Sequence, residues 1–390
     1  MSRTADVIVV GAGIQGASLA FHLAGRGADV LVLERQAVGS GSTRRASGFV
    51  RTHYDLASEA ALAWASLPYF EHWHEMVGAG DPGFVNSGFI QLVAPETADH
   101  LRANVEMLVG LGVETQVIGA DDVARLVPGI VTEDVEAAAY EPRSGYAEPG
   151  ASAAGLLQAA VGRGARFEDG RAVSAVRVDR DRVVGVDTEA GRYQAPVVVN
   201  AAGPWAPALA RTVGLELPIR VWRHDTFYAA LPPGRDHRFP IVLDHARQVY
   251  FRPEGDRQLL IGLETANELG GSPDRPFEAI TEADMYEATA RVARRLPWAA
   301  ASRPVSAHGG QDGMTPDQRA IIEQAGPEGH YLLCGFSGSG FKTAPAIGLG
   351  LAELILDGAA SSVDLSPYTL DRFERGELLV GEHPYPDLWQ

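Results

Sequence analysis

The sequence predicts an α/β protein with a second, α+β unit interleaved in it. Three observations lead there. A short β-branched run, a glycine-rich turn and a helix-like stretch stand at the front, and strand, glycine loop and helix return between residues 329 and 357. Between them, residues 171–187 and 218–310 carry period-two patterns broken by turn formers. A chain of 390 residues can bury a sizeable core, and its length favours two or three domains.

Asp6-Val-Ile-Val-Val10 is the kind of run a buried parallel strand requires. The turn Gly11-Ala-Gly13-Ile14-Gln15-Gly16 follows, and then a helix from Ala17 to Gly25 carrying Leu19, Phe21 and Leu23. After the Gly25-Arg-Gly27 break, Asp29 to Leu33 reads as a second strand that ends on Glu34, which completes a βαβ unit. Residues 55–145 read as mixed helix and strand, with amphipathic stretches at 58–77 and 100–111. Val173 to Val178, the turn Asp179–Arg182 and Val183 to Asp187 form a hairpin, and Pro196-Val-Val-Val-Asn200 is another buried strand, stopping at Ala201-Ala-Gly203-Pro-Trp205. Aromatic and β-branched segments such as Asp225–Tyr228 and Gln248–Phe251 predict a second sheet. The chain has no short-period repeat and no low-complexity linker.

Lys plus Arg number 33 against 50 Asp plus Glu, a formal charge of −17 that repels phosphate backbones and argues against a nucleic-acid partner. A small anionic substrate then needs a local cluster of cations. No apolar run reaches the length of a membrane span. The single cysteine, Cys334, excludes an internal disulfide and reads as a small buried hydrophobe. With little sequence ahead of the first strand for a signal peptide, the expected location is cytoplasmic. The histidines show no metal-ligand spacing, so no metal is expected.

In the opening turn, Gly11 permits the tight bend, Gly13 lets backbone approach a pyrophosphate, and Gly16 lets the helix sit on the strand. The helix N-terminus offers free N–H groups to phosphates, and Glu34 stands where a carboxylate accepts both hydroxyls of an adenosine ribose. NAD and FAD share this fingerprint. The hydroxyl-rich segment Gly39–Gly48 reads either as a surface loop or as a continuation along a longer cofactor. Gly335-Phe-Ser-Gly-Ser-Gly-Phe-Lys342, with Pro345 in the helix beyond it, presents a second helix N-terminus, suited to the negative charge of a reduced flavin or simply a helix start.

Gly11 to Gly16 with Glu34, the segment from Gly41-Ser-Thr43 to Tyr54, Val198-Val-Asn-Ala-Ala-Gly-Pro-Trp205, Thr315-Pro-Asp317 with Ile321-Ile322, and Gly335 to Lys342 together resemble the D-amino acid oxidase superfamily of flavoproteins. The likeness is to the branch of monomeric sarcosine oxidase, glycine oxidase and the sarcosine and dimethylglycine dehydrogenases, and it runs from Val7 to about Gly358. It implies a discontinuous, Rossmann-like FAD-binding domain of residues 1–80, 145–217 and 325–390. A substrate-binding domain on a mixed β-sheet is implied for 81–144 and 218–324, with flavin at the junction. The cofactor-binding set is then Gly11, Gly13, Ile14, Gln15, Gly16, Glu34, Arg35, Ser42, Thr43, Ala46, Ser47, Val173, Ala201, Gly203, Trp205, Gly310, Gly338, Ser339, Gly340, Phe341 and Lys342. On the substrate side the resemblance puts Arg51 and Lys342 on a carboxylate, and it places Glu264 near a family histidine of the pocket. Tyr250 and Phe251 alternate on one strand, with Tyr250 favoured for the pocket and core packing an equal alternative; His53 and Tyr54 follow Arg51 as candidates to line the same cavity, and His224 reads as an edge or surface residue.

Three departures matter. Gly309, Gly310 and Gln311, and Arg44 with Arg45, stand where some relatives carry the cysteine or histidine that links flavin, so noncovalent FAD is expected. Leu260 or Ile261 stands where sarcosine oxidase has the lysine that promotes reaction with oxygen. Glu264 would favour a cationic or second amine group. The expected activity is oxidation of a small amine, an N-substituted amino acid first of all, by hydride transfer to flavin N5, with oxygen or an electron carrier as acceptor. Alternatives are a dehydrogenase passing electrons to a quinone or carrier protein, a D-amino acid or glycine oxidase, and an FAD-holding subunit of a larger complex. Either a monomer or a homo-oligomer is compatible with the sequence.

Overall fold

Val7–Val10 and Val30–Leu33 are apolar at every position because their sheet is covered on both faces. The computed structural model describes residues 3–234, 238–263, 269–275 and 279–385. Val7 and Val9 share a core with the helices Ile14–Gly25, Pro149–Gly162 and Ala344–Asp357, whereas Ile8 and Val10 meet Val176, Val183 and Val186 of a three-stranded antiparallel sheet. Val173–Asp179 and Arg182–Thr188 of that small sheet form the expected hairpin, turning through left-handed Arg180 and Asp181.

Six strands make the first sheet, in the order Ile321–Gln324, His330–Cys334, Val197–Asn200, Val7–Val10, Val30–Leu33, Arg166–Glu168. All neighbours are parallel except Ile321–Gln324, which pairs antiparallel with His330–Cys334. The expected boundaries put Ile321–Gln324 with the second unit; its pairing puts it in the first. Val7–Val10 lies between Val30–Leu33 and Val197–Asn200, so the chain leaves it in one direction and returns on its other side. Ligands settle at such a switch point, beyond the carboxyl ends of the strands. Gly11 and Ala201 stand there.

The second sheet has eight strands in the order Arg303–Met314, Arg220–Ala230, Gln258–Leu263, Val249–Glu254, Ile241–Asp244, Phe89–Leu92, Ala138–Glu141, Gln116–Ile118. It is mixed: Phe89–Leu92 runs parallel to Ile241–Asp244 and the other pairs are antiparallel. One face packs on the helix Glu282–Arg295, whose Thr281 and Asp284 form a reciprocal cap and whose Ala288 and Val292 join Phe251 and Ile261. The other face carries Phe89, Leu243, Tyr250 and Leu260, together with Phe49 of the short strand Phe49–Val50. Among the described residues no helix is long and apolar enough to cross a membrane, and no three His, Cys, Asp or Glu side chains are grouped to hold a metal ion.

Candidate functional site

Close backbone contacts explain the glycines of the opening turn. Gly11 has φ +108, and a Cβ on it would sit 2.5 Å from the Ala201 carbonyl oxygen; one on Gly16 would sit 2.0 Å from the Gly11 oxygen. Two side chains from further along hold the turn open: Glu34 Oε2 accepts the Ala12 N–H at 2.9 Å and Thr43 Oγ1 accepts the Ile14 N–H at 3.0 Å. The far end of the chain is tied to the same helix. Gln15 Nε2 donates to the Gly340 carbonyl at 2.7 Å and Ser18 Oγ to the Ala344 carbonyl at 2.7 Å. A Cβ on Gly348 would sit 2.3 Å from Ser18 Oγ, which is how the two helices come so close.

One cavity runs along these elements. It is lined by Gly11, Gly13, Ile14, Gln15, Glu34, Arg35, Ser42, Thr43, Ala46, Ser47, Val173, Ala201, Gly203, Trp205, Tyr250, Gly310, Gly338, Gly340 and Phe341. Gly16, Ser339, Arg51 and Lys342 are not in its lining. Gly16 serves the helix–strand contact, and Ser339 turns inward to the Phe336 carbonyl at 2.9 Å. Glu264 lies outside the described residues. The lining also includes Trp222, His224 and Asp312, none of which stood out in the sequence as site residues.

His224 is a correction to the edge reading. It is buried, its Nε2 shares a hydrogen bond with the Tyr250 hydroxyl, and its ring stacks on Trp222 with centroids 4.8 Å apart. Burial pushes its pKa down to about 3, with His308 adding to the effect, so the imidazole is neutral at pH 7. Phe49 meets Tyr250 edge-on at 4.9 Å. Tyr250 can lie flat across the sheet because its cross-strand neighbour is Gly262, where a Cβ would fall 1.9 Å from the ring. Phe251 points to the opposite face.

Arg51 and Lys342 are each 6% exposed. Their charged ends stand over one tyrosine ring, the Arg51 guanidinium carbon 4.4 Å and the Lys342 nitrogen 5.7 Å from the Tyr54 centroid. Arg51 donates to the His53 carbonyl and Lys342 to the Gly338 carbonyl at 3.2 Å. Among the described residues neither forms an ion pair. Burial, and then the Arg51 charge, hold the Lys342 ammonium well below its ordinary pKa, with Glu59 and Asp312 opposing. The Tyr54 hydroxyl is buried and has no hydrogen-bond partner. His53 is drawn away to Tyr385, its Nε2 lying 2.7 Å from the phenol oxygen.

Residues 6–354 match the family model described as DAO, FAD dependent oxidoreductase. The chain belongs to the DAO family. Mitochondrial sarcosine dehydrogenase of Homo sapiens is 28% identical over 398 residues, which cover 98% of this chain and 43% of that one. The 4-methylaminobutanoate oxidase (formaldehyde-forming) of Paenarthrobacter nicotinovorans is 30% identical over 379 residues, 93% of this chain and 45% of that one. The chain thus spans less than half the length of these two relatives. Its fold matches the crystal structure of L-proline dehydrogenase from P. horikoshii with a TM-score of 0.89 and 26% identity, over 97% of this chain and 100% of that one.

The residues present fit the FAD of a DAO-family protein. The Gly11–Gly16 turn brings bare backbone to the cavity wall as a pyrophosphate would require, Glu34 lines the same wall, and among the described residues the buried Gln15 Oε1 has no partner. From that turn the cavity continues to Phe341 and Tyr250, giving the isoalloxazine end of an FAD a place against the second sheet.

Proposed function

We propose that this DAO-family chain holds FAD noncovalently between its two units and uses it to oxidise a small N-substituted amino acid. The observation that carries the substrate class is the pair of buried basic side chains, Arg51 and Lys342, neither of them in an ion pair among the described residues. A buried ion costs several kcal/mol without a counter-charge, and a guanidinium with an ammonium suits a carboxylate. The names of sarcosine dehydrogenase and 4-methylaminobutanoate oxidase, both acting on N-methylated amino acids, support the same class. Noncovalent attachment is supported by Gly309, Gly310 and Gln311 on the strand beside the cavity and by Cys334, which is buried with its thiol pushed up to about 12.

When bound, FAD supplies a two-electron oxidant. The protein's part is to orient and to shield. Arg51 and Lys342 fix the carboxylate end of the substrate, which sets the direction of the C–H bond next to nitrogen. Tyr250, neutral His224 and Trp222 wall the cavity with rings and exclude water. Gly338, Gly340 and Phe341 bring the loop before the helix Ala344–Asp357 to the cavity, and the amino-terminal end of that helix favours negative charge there.

Anaerobic titration of the yellow protein tests this reading. N-methyl amino acids should bleach the flavin absorbance. If primary and secondary amino acids leave the spectrum oxidised while a 2-hydroxy acid bleaches it, the amine assignment is wrong. For the acceptor, a quinone or carrier protein is favoured over oxygen, because Leu260 shares the Tyr250 face of the sheet where a lysine would be wanted. Turnover with a quinone or dye and little peroxide in air is the expected result.

A further inference from the structure

The described lining of the cavity contains two carboxylates in different surroundings. Glu34 belongs to the dinucleotide turn. Asp312 stands at the glycine loop, where Oδ2 accepts the Gly338 N–H at 2.7 Å and Oδ1 accepts the Gly313 N–H at 2.8 Å. The carbonyl of the same Gly338 receives the Lys342 ammonium at 3.2 Å. A half-buried carboxylate and a buried lysine are therefore held on the two sides of one residue. Each oxygen of Asp312 uses one lone pair in this way and keeps another for the cavity.

The charges around Asp312 come from several elements. Lys342 lies on the glycine loop, with Arg51 and Glu59 acting on it in turn. Arg45 reaches the Gly309 carbonyl from the turn Thr43–Arg45, His308 lies on the same strand, and His224, on the paired strand, is neutral. Burial raises the Asp312 carboxyl to about 6, with the Gly313 and Gly338 N–H groups and Lys342 opposing, so it is ionised at neutral pH.

We propose that Asp312 faces the nitrogen of the substrate and stabilises the positive charge which that nitrogen gains as hydride leaves the neighbouring carbon. This rests on the amine reading of the site. The amine enters the step neutral. The C–H bond breaks with both electrons and the hydrogen passing to FAD, the oxidant; the nitrogen lone pair becomes the second bond of C=N, and nitrogen becomes cationic. Water then adds to the carbon, and the adduct collapses to a carbonyl compound and an ammonium that keeps the positive charge and takes both protons of the water. A fixed carboxylate attracts the cationic product of this step far more than the neutral amine, so its effect falls on the rate rather than on binding. With Arg51 and Lys342 on the carboxylate and Asp312 on the nitrogen, the site takes amino acids whose two groups are a few bonds apart.

The test is anaerobic stopped-flow reduction of the holoenzyme flavin by an N-methyl amino acid, in wild type, Asp312→Asn and Asp312→Glu. The rate should fall about 100-fold in Asp312→Asn and recover in part in Asp312→Glu, while binding of methoxyacetate, a carboxylate without nitrogen, is unchanged. Formation of the substrate ammonium slows both enzymes equally as pH falls; wild-type reduction should show an additional acid limb as pH drops through about 6, where Asp312 takes up its proton, and Asp312→Asn should lack that additional limb. Equal rates in wild type and Asp312→Asn overturn the proposal, as does an equal loss of methoxyacetate binding, which would reduce Asp312 to a brace for the loop. Should Asp312→Asn fail to fold, a wild-type profile without the additional acid limb overturns it. A wild-type flavin that no amine reduces removes the amine reading and this proposal together; one that amines reduce equally well in Asp312→Asn removes this proposal alone.

Discussion

Arg319 and Arg51 are both buried, and only one of them has a carboxylate. Arg319 lies 2.9 Å from Asp55, Arg372 lies 2.7 Å from Asp317 and Arg295 lies 2.5 Å from Asp244, all with side chains almost wholly covered. These pairs fasten elements to one another: Arg372, for example, ties the short helix Arg372–Arg375 to the Thr315-Pro-Asp317 segment. Arg51 and Lys342 are buried as well and, among the described residues, form no ion pair. The difference teaches that cation burial is tolerated for two reasons in this molecule, one structural and satisfied within the fold, the other left for a ligand to satisfy.

The largest expected effect comes from breaking a satisfied pair. Arg319→Met strands Asp55 and should cost about 3–5 kcal/mol in denaturant unfolding, whereas Arg51→Met should leave stability level or raised. Equal losses would erase the distinction. Next comes the ligand side: Arg51→Met and Lys342→Met should each weaken amino acid binding by about 2 kcal/mol or more in a spectral titration. Gly262→Ala should slow flavin reduction without removing any polar group, because its methyl displaces the Tyr250 ring; a crystal structure of the variant would show the shift. A smaller effect is one of pH. Lys342 is held below its ordinary pKa, so its cation is lost as pH rises through that lowered value, and acetate affinity should fall on the alkaline side well before free lysine titrates. Lys342→Met should abolish that fall. The smallest effect belongs to Asp274, which meets Arg35 at 2.9 Å and Trp205 Nε1 at 2.8 Å beside the cavity while remaining exposed. Asp274→Ala should raise the FAD dissociation constant by only a few-fold, a loss of about 1 kcal/mol or less, measured by fluorescence.

How legible this was from sequence depends on the range of the interaction that makes each feature. The βαβ start, the hairpin at Val173–Asp187 and the helix after Lys342 are written in local periods and turn residues, so their elements were readable. Glu34 was readable because spacing within one βαβ unit fixes its place. Asp312 and His224 were not, since they reach the cavity through the pairing of two strands about ninety residues apart, in a register that joins His224 to Gly310 and Trp222 to Asp312. A signal for His224 did exist. Arg223 and Asp225 pair with each other at 3.0 Å, leaving Trp222, His224 and Thr226 to share the buried side, and that alternation argues against an edge reading. Ile321–Gln324 pairs with His330–Cys334 although the expected boundary falls between them, because strand chemistry alone carries no information about which sheet receives the strand.

The bonds from Gln15 to Gly340 and from Ser18 to Ala344 have a consequence for biosynthesis. In the order of synthesis Val7–Val10 has no neighbour on one side until Val197–Asn200 appears, and the Gly11–Gly16 turn lacks its closing loop for more than a hundred residues after that. At ordinary ribosomal speeds this interval lasts roughly 15–65 s. Apolar strand faces stay uncovered during that time, and the Gly11–Gly16 turn reaches its final form only after Gly340 has been made.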